Sequence, residues 1–223
     1  MAIVIINSTL LDGSMQSIHG GNLAQANQSR TDFLNKNGIQ PEATTLVRLR
    51  YEGDNYCRYV TISDTFEGDG IVRESTVVSD ALVVTQPKHA LFLPLADCIG
   101  AVLHDPVKNM LMVSHLGRHN LEQYGGTRSV EFMQEQHNVN PQDVTVWLSP
   151  AAGKSSYPLF EFNNRSLHDV AMEQFVRAGI RAENIDISPI DSSQDVNYYS
   201  HSQFLKGRRD NDGRFAVVAF MTD

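Results

Sequence analysis

Apolar residues recur at helical spacing in three stretches of the chain. Between residues 22 and 37, Leu23, Ala26, Arg30, Phe33 and Leu34 fall on one side of a helix that Gly38 is expected to close. From Leu121 to His137 the apolar positions are Leu121, Tyr124, Val130 and Met133, with Gly125 and Gly126 weakening the early turns. The third stretch, residues 163–179, is the clearest. Leu167, Val170, Ala171, Phe175 and Val176 form a stripe, with Ser166 or Asn164 as cap before it and Gly179 after it.

Between these helices lie short runs rich in β-branched and aromatic residues, at 2–6, 45–51, 57–63, 80–85, 90–95, 99–104, 110–115, 144–149 and 214–221. They cluster rather than alternate strictly with helices, and YEGDNY (51–56) and HDPVKN (104–109) read as hairpin turns. The pattern therefore predicts an α+β fold with a mixed sheet. With no repeat and no pooled Pro/Gly linker, residues 1–223 are expected to form a single domain.

Composition narrows the partners. A 41% hydrophobic content is ordinary for a globular chain, and a formal charge of −8 argues against a phosphate-tracking nucleic-acid surface. The first residues lack a basic leader, and no apolar run approaches the roughly 18 residues of a membrane span, so a cytoplasmic protein without membrane contact is expected. Two cysteines, Cys57 and Cys98, exclude a disulfide framework and a four-thiolate zinc site but leave a mixed site open.

The predicted hairpin of 99–104 and 110–115 brings Cys98 at its entrance near His115 at its exit. A neutral imidazole beside a thiol can activate a nucleophile. The same two groups can be two of the three protein ligands of a catalytic zinc. Against both stands a structural reading, in which Cys98 is a small buried hydrophobe and His115 merely ends a strand. His104 reads as a turn residue. Asp97 either orients a ring nitrogen or a backbone amide, or ends a strand. Tyr157 and Tyr199 can stack on a purine or pack in the core. Arg208 and Arg209 can bind phosphate or a carboxylate, or form a solvated turn beside Asp210 and Asp212. Gly153-Lys154-Ser155 lacks the spacing of a phosphate-binding P-loop.

SDALVVT (79–85), LADC (95–98), SHLGRHN (114–120), LSPAAGKSSY (148–157), VNYYSH (196–201) and GRRDNDGRFAVV (207–218) occur in an order that closely resembles the YfiH-type family. That family is also called the laccase-domain, multicopper polyphenol oxidoreductase or purine nucleoside phosphorylase family. STLLDGS (8–14) and NQSRTDF (27–33) look like its N-terminal segments. The resemblance implies one α+β domain, its mixed sheet folded on itself and covered by helices, related to toxin deamidases. It implies zinc-dependent phosphorolysis or deamination of purine nucleosides, copper-dependent polyphenol oxidation, or editing in peptidoglycan synthesis. The expected partner is a small molecule, a purine nucleoside or a phosphate-containing ligand.

In the family the zinc or copper is held by a His of a QVHG-like segment, the Cys of ADC and the His of HAGWRG; Cys98 and His115 match the last two. No histidine lies between Gly20 and Lys88, and TLVRLRYEG offers Arg50 at the nearest match. A guanidinium stays protonated and cannot bind a metal. Arg118 and His119 replace the usual Trp and Arg, and Ser155 replaces a usual cysteine. Three outcomes follow. A substitute ligand, His119 or else His89 or His19, restores a metal site; Arg50 favours a thiolate at Cys98 with His115 as base; or the fold is kept as a binding module. Candidate substrate-binding residues are Arg208, Arg209, Tyr157 and Ser155.

Overall fold

The computed structural model describes residues 1–16 and 23–223. Among these residues ten strands form two mixed sheets. The first has the order β1-β10-β5-β2, with β1 (Ile3–Asn7), β10 (Phe215–Met221), β5 (Ala90–Leu95) and β2 (Thr44–Leu46). The second runs β3-β4-β7-β6-β8-β9, with β3 (Tyr59–Thr61), β4 (Ala81–Val84), β7 (Met110–Leu116), β6 (Ile99–Asp105), β8 (Thr145–Leu148) and β9 (Ile185–Ile187). Both contain parallel pairs, β2 with β5, β3 with β4 and β8 with β9, among antiparallel ones. Helices α1 (Leu23–Lys36), α2 (Arg118–Glu122), α3 (Gly125–His137), α4 (Leu167–Arg177) and α5 (His201–Leu205) complete the α+β fold. Among the described residues no helix is long and apolar enough to cross a membrane.

Strand alternation sorts the core into three layers. On β7, Leu111 and Val113 face the other sheet, whereas Met110, Met112 and Leu116 face the helices. On β10, Phe215, Val217 and Ala219 meet Leu91, Leu93 and Leu95 of β5 in the layer between the sheets. Ala216, Val218 and Phe92 face outward to Phe33 and Leu34 of α1. The continuous apolar runs of these strands reflect burial on both faces.

α4 follows its sequence stripe. Ser166 is its cap: the Ser166 hydroxyl accepts from Asp169 N at 3.1 Å, and the Asp169 carboxylate accepts from Ser166 N at 3.3 Å. Leu167, Val170, Ala171 and Phe175 are buried, and Val176 is not. The helix expected from Leu121 to His137 is two helices instead, broken at Tyr124, whose φ is 61°. Packing explains the break. A Cβ on Gly125 would lie 2.8 Å from the Asn120 carbonyl, and one on Gly126 would lie 2.9 Å from Gln174 Cβ of α4. Leu23, expected on the inner side of α1, is 61% exposed, and the expected first residue, Asn22, lies outside the described residues.

The turn of the β6–β7 hairpin falls within HDPVKN, at residues 106–109, with the Asp105 carboxylate at the end of β6 accepting from Val107 N and Lys108 N. YEGDNY is not a hairpin turn. β2 and β3 belong to different sheets, so residues 47–58 carry the chain from one sheet to the other. That crossing and the crossing from β5 to β6 both border one cavity.

Candidate active site

Residues 96–98 connect β5 of one sheet to β6 of the other, and at that crossing the chain turns on Asp97, whose φ is 69°. The left-handed turn is held by the side chain: the Asp97 carboxylate accepts from the Ser200 hydroxyl and from Ser202 N, both at 2.6 Å. Asp97 therefore fastens the start of α5 to the β5–β6 crossing. It orients a backbone amide, one of the roles read from the sequence.

In the β6–β7 register His115 stands opposite Gly100, and Cys98 lies two residues before Gly100, on the same face. That face looks into the layer between the sheets. Gly117 is where the two groups meet: a Cβ built there would lie 2.8 Å from Cys98 Sγ and 3.0 Å from His115 Cε1. Gly117 N donates to Asn120 Oδ1 at 3.0 Å, and Asn120 Nδ2 donates to the Tyr56 carbonyl at 2.5 Å. The crossing loop is thereby pinned to the start of α2, with Tyr56 stacked on His119, ring centroids 4.7 Å apart.

Cys98 and His115 open onto a cavity of about 480 Å³, whose wall also includes Leu49, Tyr51, Arg118, Tyr157, His201 and Arg214. Its volume falls in the range of small-molecule sites. Burial dominates the electrostatics. It pushes the Cys98 thiol up to about 12, with Asp97 adding to the rise and Arg214 and Arg118 opposing it. It pulls His115 down to about 4, against the pull of Asp80 and Asn120. Thiol and imidazole are thus both neutral at pH 7, and His115 Nδ1 is buried with no hydrogen-bond partner among the described residues.

A second polar group faces the same cavity. His201 Nδ1 lies 3.1 Å from both oxygens of Asp212, which also accepts from Arg214 Nη1 at 2.8 Å. Arg214 and His201 hold the Asp212 carboxylate below its usual range, against the opposing effect of its own burial. Because Nδ1 is engaged by the carboxylate, Nε2 is the ring nitrogen of His201 left for a ligand.

Several candidates stand elsewhere. Arg50 is exposed and paired with Glu52 at 2.6 Å, outside the cavity wall; Leu49 and Tyr51 line the cavity instead, as expected when an extended chain alternates its side chains. The Tyr51 and His115 rings meet edge to face at 6.4 Å. Arg208 is exposed, Arg209 donates to the Asp195 carbonyl at 2.9 Å, and Ser155 is exposed; none lines the cavity. Tyr157 does line it. Tyr199 is core, its ring lying within 2.7 Å of a Cβ built on Gly213. His104 is a buried strand residue rather than part of the turn. Arg118, Arg214 and Tyr51 were missed as site residues. Arg214 offered one signal, an arginine immediately before the apolar run of β10.

The metal expected from the family is tested by the donors. Among the described residues no three His, Cys, Asp or Glu side chains are grouped to hold a metal ion. His119 does not complete a set with His115: α2 begins at Arg118, leaving His115 on a strand, and His119 is occupied by Tyr56 and by Glu122 at 3.4 Å. His89 is buried beside Thr45, 2.8 Å from its hydroxyl. His19 lies outside the described residues. Cys98 and His115 are two donors where a catalytic zinc uses three from protein, so the described residues do not fit that metal.

Residues 15–167 match the family model described as multi-copper polyphenol oxidoreductase laccase. Over 104 residues the chain is 26% identical to purine nucleoside phosphorylase YlmD of Bacillus subtilis (strain 168), a match covering 47% of this chain and 37% of the relative. The matched stretch spans little more than a third of that relative's length. Two solved structures share the fold, each matched over 94% of this chain and 85% of the other. They are the hypothetical protein YfiH of Bacillus licheniformis, with a TM-score of 0.82 at 17% identity, and YlmD from Geobacillus stearothermophilus, with 0.81 at 17%.

Proposed function

The chain belongs to the YfiH-type, or multi-copper polyphenol oxidoreductase laccase, family, and from that premise we propose that the Cys98 cavity is the substrate site of a purine nucleoside phosphorylase-like enzyme. The observation that carries this reading is the meeting of neutral Cys98 and His115 over Gly117 in a nucleoside-sized cavity that also presents Arg214 and the His201–Asp212 pair.

Phosphorolysis makes demands that this wall meets. A phosphate oxygen bonds to the sugar C1′ as the C1′–N bond breaks and its electron pair leaves with the purine. The phosphate needs a cation, and the guanidiniums of Arg214 and Arg118 both line the cavity. The departing base needs a proton, and His201, oriented through Nδ1 by Asp212, can hold one at Nε2. His115, uncharged, accepts a hydrogen bond from a sugar hydroxyl. No step is assigned to a metal.

A thiolate nucleophile is the weaker reading, because burial and Asp97 both oppose ionisation of Cys98 and Arg50 is not there to favour it. The test is phosphate-dependent release of purine base from adenosine or inosine. Arg214→Gln is expected to raise the KM for phosphate at least tenfold. Release that ignores phosphate, or a variant with unchanged KM, would remove Arg214 from this role.

A further inference from the structure

Beside α1 lies a second cavity, of about 640 Å³, and we infer that it binds a small organic phosphate through Arg30, Arg48 and Arg73. In a chain of net charge −8, three guanidiniums line this one hollow, with Glu74 as the carboxylate among its lining residues.

Arg30 carries the argument. It is 5% exposed on the inner side of α1, and its contacts are neutral: Nε donates to the Met15 carbonyl at 2.6 Å, and Nη1 to the Gly70 carbonyl at 2.9 Å and Asn27 Oδ1 at 3.3 Å. Among the described residues no carboxylate pairs with it within 4.0 Å, and residues 17–22 contain no acid. A buried charge without a counter-ion is destabilising, and a bound anion would offset that cost. Burial alone, with no opposing charge, pulls this guanidinium down to about 10.

The other two arginines keep donors free. Arg48 Nη1 donates to the Ser75 carbonyl at 2.8 Å and has no ion pair among the described residues. Arg73 Nη2 donates to the Thr65 carbonyl, and its Nε lies 3.9 Å from Asp69, a carboxylate that also accepts from Thr76 N at 3.0 Å and the Ser75 hydroxyl at 3.2 Å, so Nη1 is the Arg73 nitrogen left without a hydrogen bond among the described residues. Asp69 thereby shapes the loop that presents Arg73 and Ser75 before any ligand arrives. Forked guanidinium donors match phosphate oxygens. The hollow is larger than phosphate requires, and Leu46 and Ile71 line it, so the ligand carries an apolar group as well as the phosphate.

The experiment is calorimetric titration of the whole protein with phenyl phosphate, with inorganic phosphate, and with phenol as uncharged control. Phenyl phosphate is expected to bind, phenol not, and 0.5 M NaCl to weaken binding (on the order of tenfold). The exposed pair Arg48→Glu/Arg73→Glu should weaken it at least tenfold, and Arg48→Gln alone about threefold if the double variant does not fold. Arg214→Gln should leave it unchanged. Tighter binding of phenyl phosphate than of inorganic phosphate identifies an ester as the ligand, and equal binding identifies free phosphate; both retain the anion site. No binding by the wild-type protein overturns it. So does binding that survives Arg48→Glu/Arg73→Glu and is lost in Arg214→Gln, which would belong to the Cys98 cavity.

Discussion

Gly117 and Cys98 are so close that a single methyl group on the glycine would sit 2.8 Å from the cysteine sulfur. The backbone of Gly117, φ −97° and ψ −175°, is open to any residue, so the glycine is required by space and not by conformation. Gly117→Ala is therefore expected to push Cys98 and His115 apart. Urea unfolding should register a loss of about 1–3 kcal/mol. Nucleoside turnover should fall more than tenfold; a variant of wild-type stability and turnover would contradict the contact.

Cys98 should resist alkylation. Its thiol sits at about 12, so thiolate is scarce at neutral pH. In a Cys57→Ser background treated with chelator, the rate of iodoacetamide labelling should climb about tenfold per pH unit from 7 to 10 without a plateau. A plateau centred below pH 9 would reveal a cation beside the sulfur stronger than Arg214 and Arg118 supply.

His115 should make stability fall in mild acid. Its folded value, about 4, lies below the 6.5 of the unfolded chain, so the unfolded chain takes the proton first as pH drops. The contribution is complete above about pH 6.5 and is lost toward pH 4, at most about 3 kcal/mol in all. His115→Asn should therefore lose less stability than wild type between pH 7 and 5, measured by urea unfolding. Parallel profiles would show that His115 titrates normally.

Asp97 ties α5 to the β5–β6 crossing through Ser200 and Ser202. Removing its carboxylate in Asp97→Ala strands a buried hydroxyl and an amide, and it puts alanine at φ 69°. A loss of about 2–4 kcal/mol is expected, with Asp97→Asn intermediate because asparagine tolerates that turn. Equal stability of Asp97→Asn and Asp97→Ala would contradict a conformational share in the cost.

Some of this arrangement is legible in the sequence. The β6–β7 hairpin announces itself through HDPVKN between two apolar runs, and that register carries Cys98 and His115 to one place. α4 follows from its stripe and cap. The crossing at 47–58 is not legible, because β2 and β3 are only three residues long and local pattern does not say which sheet each joins. Arg50 reads as a site residue through its match to the family's QVHG-like segment, whereas the folded crossing places its neighbours Leu49 and Tyr51 on the cavity wall. Similarly, Arg208, Arg209 and Arg214 look alike in GRRDNDGR. The Asp212 contact, a product of tertiary folding, selects Arg214.

The most direct measurement is purine base released from adenosine and inosine in phosphate, comparing wild type with Cys98→Ser, His115→Asn and Arg214→Gln. Base release by wild type, reduced about tenfold or more in His115→Asn and Arg214→Gln and less in Cys98→Ser, whose thiol lines the cavity without a step of its own, all with their folds intact, is the predicted result. A folded wild-type protein that releases no base, or variants that release it as fast as wild type, would contradict the assignment of this cavity to nucleoside chemistry.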